Sequence, residues 1–247
     1  FCILSMSWLE LYRYSTFDNA VPHDKDYLIS LLDDYEYSRF ERYKFDSSRW
    51  TFAIARWIAK SRLSDHLEVE PAAISFSYNE NGKPYMAYAA ISMYFSITHT
   101  DTAIVVVLSD VEVGVDIEML DRPGDPWNNC EAFLNGDVAS VVDSVTSDFE
   151  KKRCFARYWT TMEARVKVHG STLFSIKETF AKDMPALLSD GRYSDGGYVY
   201  YTSCMNDREQ LSVCASEPFK DVRFYKYEAQ QFRRDDTMRG IMSFEAR

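Results

Sequence analysis

A chain of 247 residues, 46% of them hydrophobic, can bury one large core or two ordinary ones. Its formal net charge of −10 opposes a general nucleic-acid-binding role, which needs a basic surface to neutralise phosphates. A small polyanion held by a local Lys/Arg cluster is compatible with that charge. The five cysteines (Cys2, Cys130, Cys154, Cys204 and Cys214) are odd in number and lack CxxC spacing, so they suggest neither a disulfide framework nor a zinc site and fit reduced thiols in a cytoplasmic protein.

The opening Phe1-Cys-Ile-Leu-Ser-Met6 has no basic segment and no long apolar stretch, so it does not read as a signal peptide. It lacks an initiator Met, and the numbered chain is expected to begin partway into a longer one. No apolar run is long enough to span a membrane. The pattern predicts a helix from Asp26 to Tyr37 and a second over about 46–64, with Asp46 or Ser47 as its N-cap. In the second, Trp50, Phe52, Ala53, Ile54, Trp57 and Ile58 are apolar, and Arg49, Arg56 and Lys60 take other faces. Ile74 to Tyr78 reads as a strand and Asn79-Glu-Asn-Gly-Lys-Pro84 as a turn. Strands follow at 92–97, 103–109 and 111–118. Asp121-Arg-Pro-Gly-Asp-Pro126 is the best internal boundary and divides the chain into an N-terminal lobe, 1–120, and a C-terminal lobe, 121–247. Helices are predicted near 136–144 and 148–168, then strands at Ile176 to Phe180, Tyr198 to Ser203, Leu211 to Ala215 and Val222 to Tyr227, with Gly191, Gly196 and Gly197 breaking the chain between them. Phe52-Ala53 followed by Lys60, and Phe155-Ala156 followed by Lys167, echo one another. The expected fold is α+β, with two similar pseudo-symmetric lobes and a ligand cleft between them.

Gly114-Val-Asp-Ile-Glu118 carries the chemistry. On a strand, Val113, Val115 and Ile117 point into a core while Gly114, Asp116 and Glu118 share the other face. Two carboxylates so placed are half of a divalent-cation site of the kind that suits Mg²⁺, or else a solvated strand face. Glu163 and Lys167 are four apart on the later helix and face the same way, as a solvated ion pair or as a third carboxylate with a phosphate contact. His99 follows a predicted strand one hairpin before the acidic one. Zinc is not expected, because His23, His66 and His169 show no paired spacing.

Phe95-Ser-Ile-Thr-His-Thr100, Gly114-Val-Asp-Ile-Glu118 and Trp159-Thr-Thr-Met-Glu-Ala-Arg-Val-Lys167 resemble, in order and spacing, the three signature blocks of the 4′-phosphopantetheinyl transferases of the long, surfactin-synthetase-activating type. Asn81-Gly-Lys-Pro84, Arg49 and Leu211-Ser-Val-Cys214 also fall where that type has similar residues, and the resemblance covers roughly 36 to 220. It implies transfer of the 4′-phosphopantetheine arm of coenzyme A to a serine of an apo acyl or peptidyl carrier protein, with release of adenosine 3′,5′-bisphosphate. It further implies Mg²⁺ held by Asp116, Glu118 and Glu163, and phosphate contacts from Lys167, His99 and Thr98. Arg49 would take the 3′-phosphate, Lys83 would flank the adenine end, and Glu163 would be the base, in a cytoplasmic monomer with neither nucleic acid nor membrane as partner. The chain departs from the family at Met162, where a Lys is usual. Positions beside a catalytic Glu tend to border the cleft, so Met162 is expected there and a Lys in its place to improve use of coenzyme A. A non-catalytic relative that binds carrier protein or coenzyme A, and a Mg²⁺-dependent phosphohydrolase, are the alternatives.

Overall fold

The computed structural model describes residues 7–16, 18–86, 93–121, 136–172 and 189–237. Strand β1 (Trp8–Ser15), which the sequence pattern did not announce, comes first, and helices α1 (Lys25–Ser30), α2 (Asp34–Arg42) and α3 (Asp46–Leu67) follow. The single helix expected from Asp26 to Tyr37 is thus two. Asp33 accepts from the Glu36 N–H and the Glu36 carboxylate accepts from the Asp33 N–H, a capping box that starts a new helix there. Helix α3 starts after Phe45, which makes no side-chain cap, so neither Asp46 nor Ser47 is the N-cap.

A short hairpin, β2 (Phe76–Tyr78) and β3 (Pro84–Met86), precedes β4 (Tyr94–His99), β5 (Ala103–Ser109) and β6 (Val113–Met119). The second half holds α4 (Gly136–Ser144), α5 (Asp148–His169), β7 (Gly191–Asp195), β8 (Tyr198–Met205), β9 (Glu209–Ala215), β10 (Asp221–Glu228) and β11 (Gln231–Arg234). The predicted strand from Ile176 to Phe180, and all but Asp121 of the predicted boundary, lie outside the described residues.

The fold is mixed helix and sheet, and the strands form two main sheets. One has the order β11-β10-β1-β5-β4 and the other β6-β9-β8-β7. β1 runs parallel to β10 and antiparallel to β5. The first sheet therefore draws strands from both sides of residue 121.

Alternation along the strands sorts side chains into layers. Tyr12, Tyr14, Ile104, Val106 and Leu108 pack under Phe52, Ala55, Ile58 and Ala59 of α3. Their neighbours Leu9, Leu11, Val105 and Val107 meet Val113, Val115, Ile117, Leu211 and Val213 of the second sheet. The far face of that sheet, at Tyr200 and Cys214, packs on Tyr158, Met162, Ala164 and Val168 of α5. The result is helix, sheet, sheet, helix. β5 is buried on both faces, which is why its sequence is a continuous apolar run rather than an alternating one.

The outer contact of α5 with β6 is unusually close. A Cβ on Gly114 would lie 2.0 Å from the Ala164 carbonyl oxygen and 2.8 Å from the Val168 nitrogen, both backbone atoms. On β9 the Ser212 hydroxyl meets Thr160 Oγ1 at 2.7 Å and Thr161 Oγ1 at 3.1 Å. Small residues on both surfaces let the helix backbone rest on the strand. We predict that Gly114→Ala costs about 3 kcal/mol of unfolding free energy, the upper range for overpacking a dense interior. Urea denaturation of the two proteins measures it, and a loss below about 0.5 kcal/mol would mean that α5 can retreat without penalty.

Candidate functional site

β4 is an edge strand of the first sheet and β6 an edge strand of the second, and the two edges lie side by side. Side chains join them. Ser96 Oγ accepts from the Val115 N–H at 3.2 Å, and Thr98 Oγ1 donates to Asp116 Oδ1 at 3.0 Å. Hydroxyls spaced two apart on β4 thus do for this seam what backbone pairing does inside a sheet. Phe95 and Ile97, on the opposite face of β4, pack toward α3.

Asp116 is 6% exposed. Its Oδ1 also accepts from Lys167 Nζ at 2.7 Å, so a cation from α5 and a hydroxyl from β4 converge on one oxygen. Oδ2 is buried and accepts no hydrogen bond from a described residue. Glu163, one turn before Lys167, sits near enough to feel this carboxylate. Burial raises its pKa above the usual carboxylate range, the Asp116 charge adds to the rise, and Lys167 opposes it. Glu118 lies further along β6 and shares a small recess of about 130 Å³ with His99, Thr100, Asp101 and Met119. Burial lowers the His99 pKa, the Lys167 charge lowers it further, and Asp101 and Asp116 oppose.

His99 and Lys167 also line a larger cleft of about 360 Å³. Arg39, Arg56, Lys83, His99 and Lys167 line it, with Tyr43, Phe52 and Phe95 as aromatic wall. No carboxylate is among its described lining residues, although the chain carries ten more acidic than basic charges. The described lining therefore presents hydrogen-bond donors to an anion, although two of its cations are already paired with carboxylates outside the lining, Arg56 with Glu36 and Lys167 with Asp116.

The anticipated residues are only partly gathered. Thr98, His99, Asp116, Glu163 and Lys167 are brought to one seam from β4, β6 and α5. Among the described residues, no three His, Cys, Asp or Glu side chains are grouped closely enough to hold a metal ion by themselves. The buried, unpartnered Asp116 Oδ2 and the adjacent Glu163 offer two carboxylates, and Mg²⁺ characteristically takes one or two, completing its shell with water and substrate phosphate. Lys83 lines the cleft, but its ammonium already donates to the Val168 carbonyl at 2.5 Å.

Arg49 is not among the residues lining the cleft. Its Nε donates to the Tyr43 carbonyl at 2.9 Å and its Nη1 lies 3.5 Å from Asp46 Oδ1, so it braces the connection between α2 and α3. Arg56, read from sequence only as a charge on another helix face, is in the lining and is 5% exposed. It pairs with Glu36 at 2.7 Å, as does Lys60, and Tyr78 OH donates to the same carboxylate at 3.1 Å. The available signal was two cations four apart within the apolar run of α3, a spacing that needs a buried acid to answer it.

Met162 does not border the cleft. It is 2% exposed, between Tyr158, Val138, Tyr200 and Cys214 on the sheet side of α5. One residue is a 100° turn of a helix, and that rotation carries Met162 from the Glu163 face into the core. A Lys there cannot reach a phosphate without leaving the core. We predict that Met162→Lys lowers the melting temperature by on the order of 10 °C, as expected for an unpaired charge forced into apolar packing. Affinity for coenzyme A should not improve. Paired thermal melts and coenzyme A titrations test this, and tighter binding at an unchanged melting temperature would contradict it.

No family model matches the chain. Among curated proteins, it is 31% identical over 171 residues to the 4′-phosphopantetheinyl transferase AcpT of Salmonella typhimurium, a match covering 67% of the chain and 78% of the relative. It is 29% identical over 154 residues to the 4′-phosphopantetheinyl transferase HetI of Nostoc sp., covering 61% of the chain and 65% of HetI. A 4′-phosphopantetheinyl transferase of Bacillus subtilis is 29% identical over 156 residues, 61% of the chain and 66% of that protein.

Proposed function

The chain belongs to the 4′-phosphopantetheinyl transferase family, and from that premise we propose that it moves the 4′-phosphopantetheine arm of coenzyme A onto a serine of an apo acyl or peptidyl carrier protein, releasing adenosine 3′,5′-bisphosphate. The observation that carries the reading is a cleft lined by Arg39, Arg56, Lys83, His99 and Lys167, with no carboxylate among its described lining residues, beside the Lys167–Asp116 pair and Glu163. That arrangement suits a polyphosphate whose central linkage is attacked at the seam.

In this reading Arg39, Arg56 and Lys167 bind the phosphate groups, with His99 contacting them, and draw off charge as it builds on the leaving phosphate. Tyr43, Phe52 and Phe95 supply apolar wall for the nucleoside end. Lys167 bridges Asp116 and the cleft, so it orients the carboxylate while presenting a cation to the pyrophosphate. Asp116 and Glu163, with Glu118 beyond them, would hold Mg²⁺. The ion, when bound, would neutralise pyrophosphate oxygens. Thr98 keeps Asp116 in place, and Glu163 accepts the proton of the carrier serine. The nucleophile arrives with the partner, so no Ser–His–Asp set is needed here.

The two 22-residue helices on opposite outer layers support a description as two related lobes flanking the cleft. We take the working state to be a cytoplasmic monomer with neither nucleic acid nor membrane as partner. No helix among the described residues is long and apolar enough to cross a membrane, and the net charge disfavours binding along a nucleic-acid backbone.

Incubation with coenzyme A, Mg²⁺ and an apo carrier protein, followed by mass spectrometry of the carrier, tests the proposal. The carrier should gain the phosphopantetheine mass, and Asp116→Ala should abolish the gain while the protein stays folded. Breakdown of coenzyme A with an unmodified carrier would indicate a phosphohydrolase, and neither change a binding protein. Arg49 gives a second test. Because it braces the chain at Tyr43 rather than lining the cleft, Arg49→Ala should weaken coenzyme A and its 3′-dephospho form by similar factors. A loss confined to coenzyme A would assign the 3′-phosphate to Arg49 directly.

A further inference from the structure

The turn joining β2 to β3 does more than reverse the chain. Asn79 Oδ1 accepts from the N–H groups of Asn81 and Lys83 at 3.1 and 2.8 Å, which shapes the turn, and Gly82 adopts a φ of +79° within it. Three donors are left pointing outward, and all three reach the C-terminus of α5. Asn79 Nδ2 and Asn81 Nδ2 donate to the Gly170 carbonyl at 3.0 and 2.7 Å, and Lys83 Nζ donates to the Val168 carbonyl at 2.5 Å.

The last carbonyls of a helix lack intrahelical partners and carry its negative dipole end, so amide donors and an ammonium are well matched to them. The fit also constrains Gly170. Its φ is +61°, and a Cβ there would lie 2.1 Å from Asn79 Nδ2 and 2.9 Å from Lys83 Cβ. Here the left-handed helix end and the close approach of the turn impose the same residue.

This junction lies at the cleft. Asn81, Gly82, Lys83 and Pro84 line one wall, and Val166, Lys167, Gly170 and Ser171 line the wall that adjoins it. We propose that the 79–83 turn is a clasp that ties the two walls together before any ligand enters, and that Asn79 and Asn81 are positioning residues holding the last turn of α5, and with it Lys167, at the spacing coenzyme A requires. The proposal rests on the reading of the cleft as the coenzyme A site. Its physical basis is preorganisation: a wall fixed in advance is not ordered at the expense of binding energy.

Asn81 is the cleaner residue to change, because Asn79 also shapes the turn. With Asn81→Ala, hydrogen exchange of amides 166–171 in the ligand-free protein should quicken. The KM for coenzyme A should rise about tenfold, the scale of one lost hydrogen bond, while kcat at saturating coenzyme A falls much less. The exchange measurement separates a clasp from a simple contact with ligand, since it is made without coenzyme A, and a thermal melt of both proteins reports any wider loss of structure. Unchanged exchange at 166–171 would overturn the clasp. Faster exchange with an unchanged KM would show that the clasp does not set the cleft, and would overturn the proposal as well. A wild-type protein that neither transfers nor binds coenzyme A would instead defeat the functional reading beneath it.

Discussion

A carboxylate buried where two sheets meet has to be answered by charge and hydrogen bonds, and Asp116 is answered by Lys167 and Thr98. Everything near the cleft depends on that meeting being tight. Lys167 reaches Asp116 because α5 rests directly on β6, and α5 can do so because position 114 has no side chain to hold off the backbone of Ala164 and Val168. Thr98 reaches the same oxygen because β4 presents hydroxyls, not bulk, toward β6. One oxygen of the carboxylate thereby takes both contacts, and the other accepts none from a described residue. The asymmetry turns a structural ion pair into a group with unused coordinating capacity.

The second organising feature is the separation of charge within an acidic chain. Glu36 sits fully buried against both Arg56 and Lys60, two cations for one carboxylate, and Arg56 lines the cleft. The excess positive charge is held rigidly, because each member is fixed by more than one contact: Lys60 also donates to the Leu31 carbonyl, and Glu36 belongs to the α2 capping box. A cation immobilised in this way costs less to recruit to an anion than a flexible surface lysine does. The same network explains why α2 and α3 stay packed despite carrying charge inside.

Met162 shows how closely function and core adjoin on α5. Glu163 and Lys167 face the seam, whereas Met162 and Val168 belong to the packing against Tyr200 and Cys214. A departure from the family pattern at 162 therefore bears on how the helix is seated, not on which charges meet a phosphate.

Much of the site was legible in the sequence because strand and helix periodicities are local. Val113, Val115 and Ile117 alternate with Gly114, Asp116 and Glu118, and Glu163 and Lys167 stand one helical turn apart, whatever surrounds them. The predicted strands 103–109 and 111–118 accordingly lie within two residues of β5 and β6. Order along the chain also placed Thr98 and His99 one hairpin ahead of the acidic strand. What the sequence alone did not reveal depends on contacts between distant segments. β1 carries buried Glu10 beside Leu9 and Leu11 and pairs with β10, over two hundred residues away, so no local pattern marks it as central. The split between α1 and α2 rests on a capping box inside a run of charged and aromatic residues. Arg49 and Arg56 differ by two helical turns in sequence, yet only tertiary packing decides that Arg56 is in the cleft lining while Arg49 donates to the Tyr43 carbonyl. Composition and periodicity determined which residue types were present and which faces they shared. Tertiary structure decided which of those faces meet, because burial, pairing and close approach are properties of two surfaces and a sequence states each surface separately.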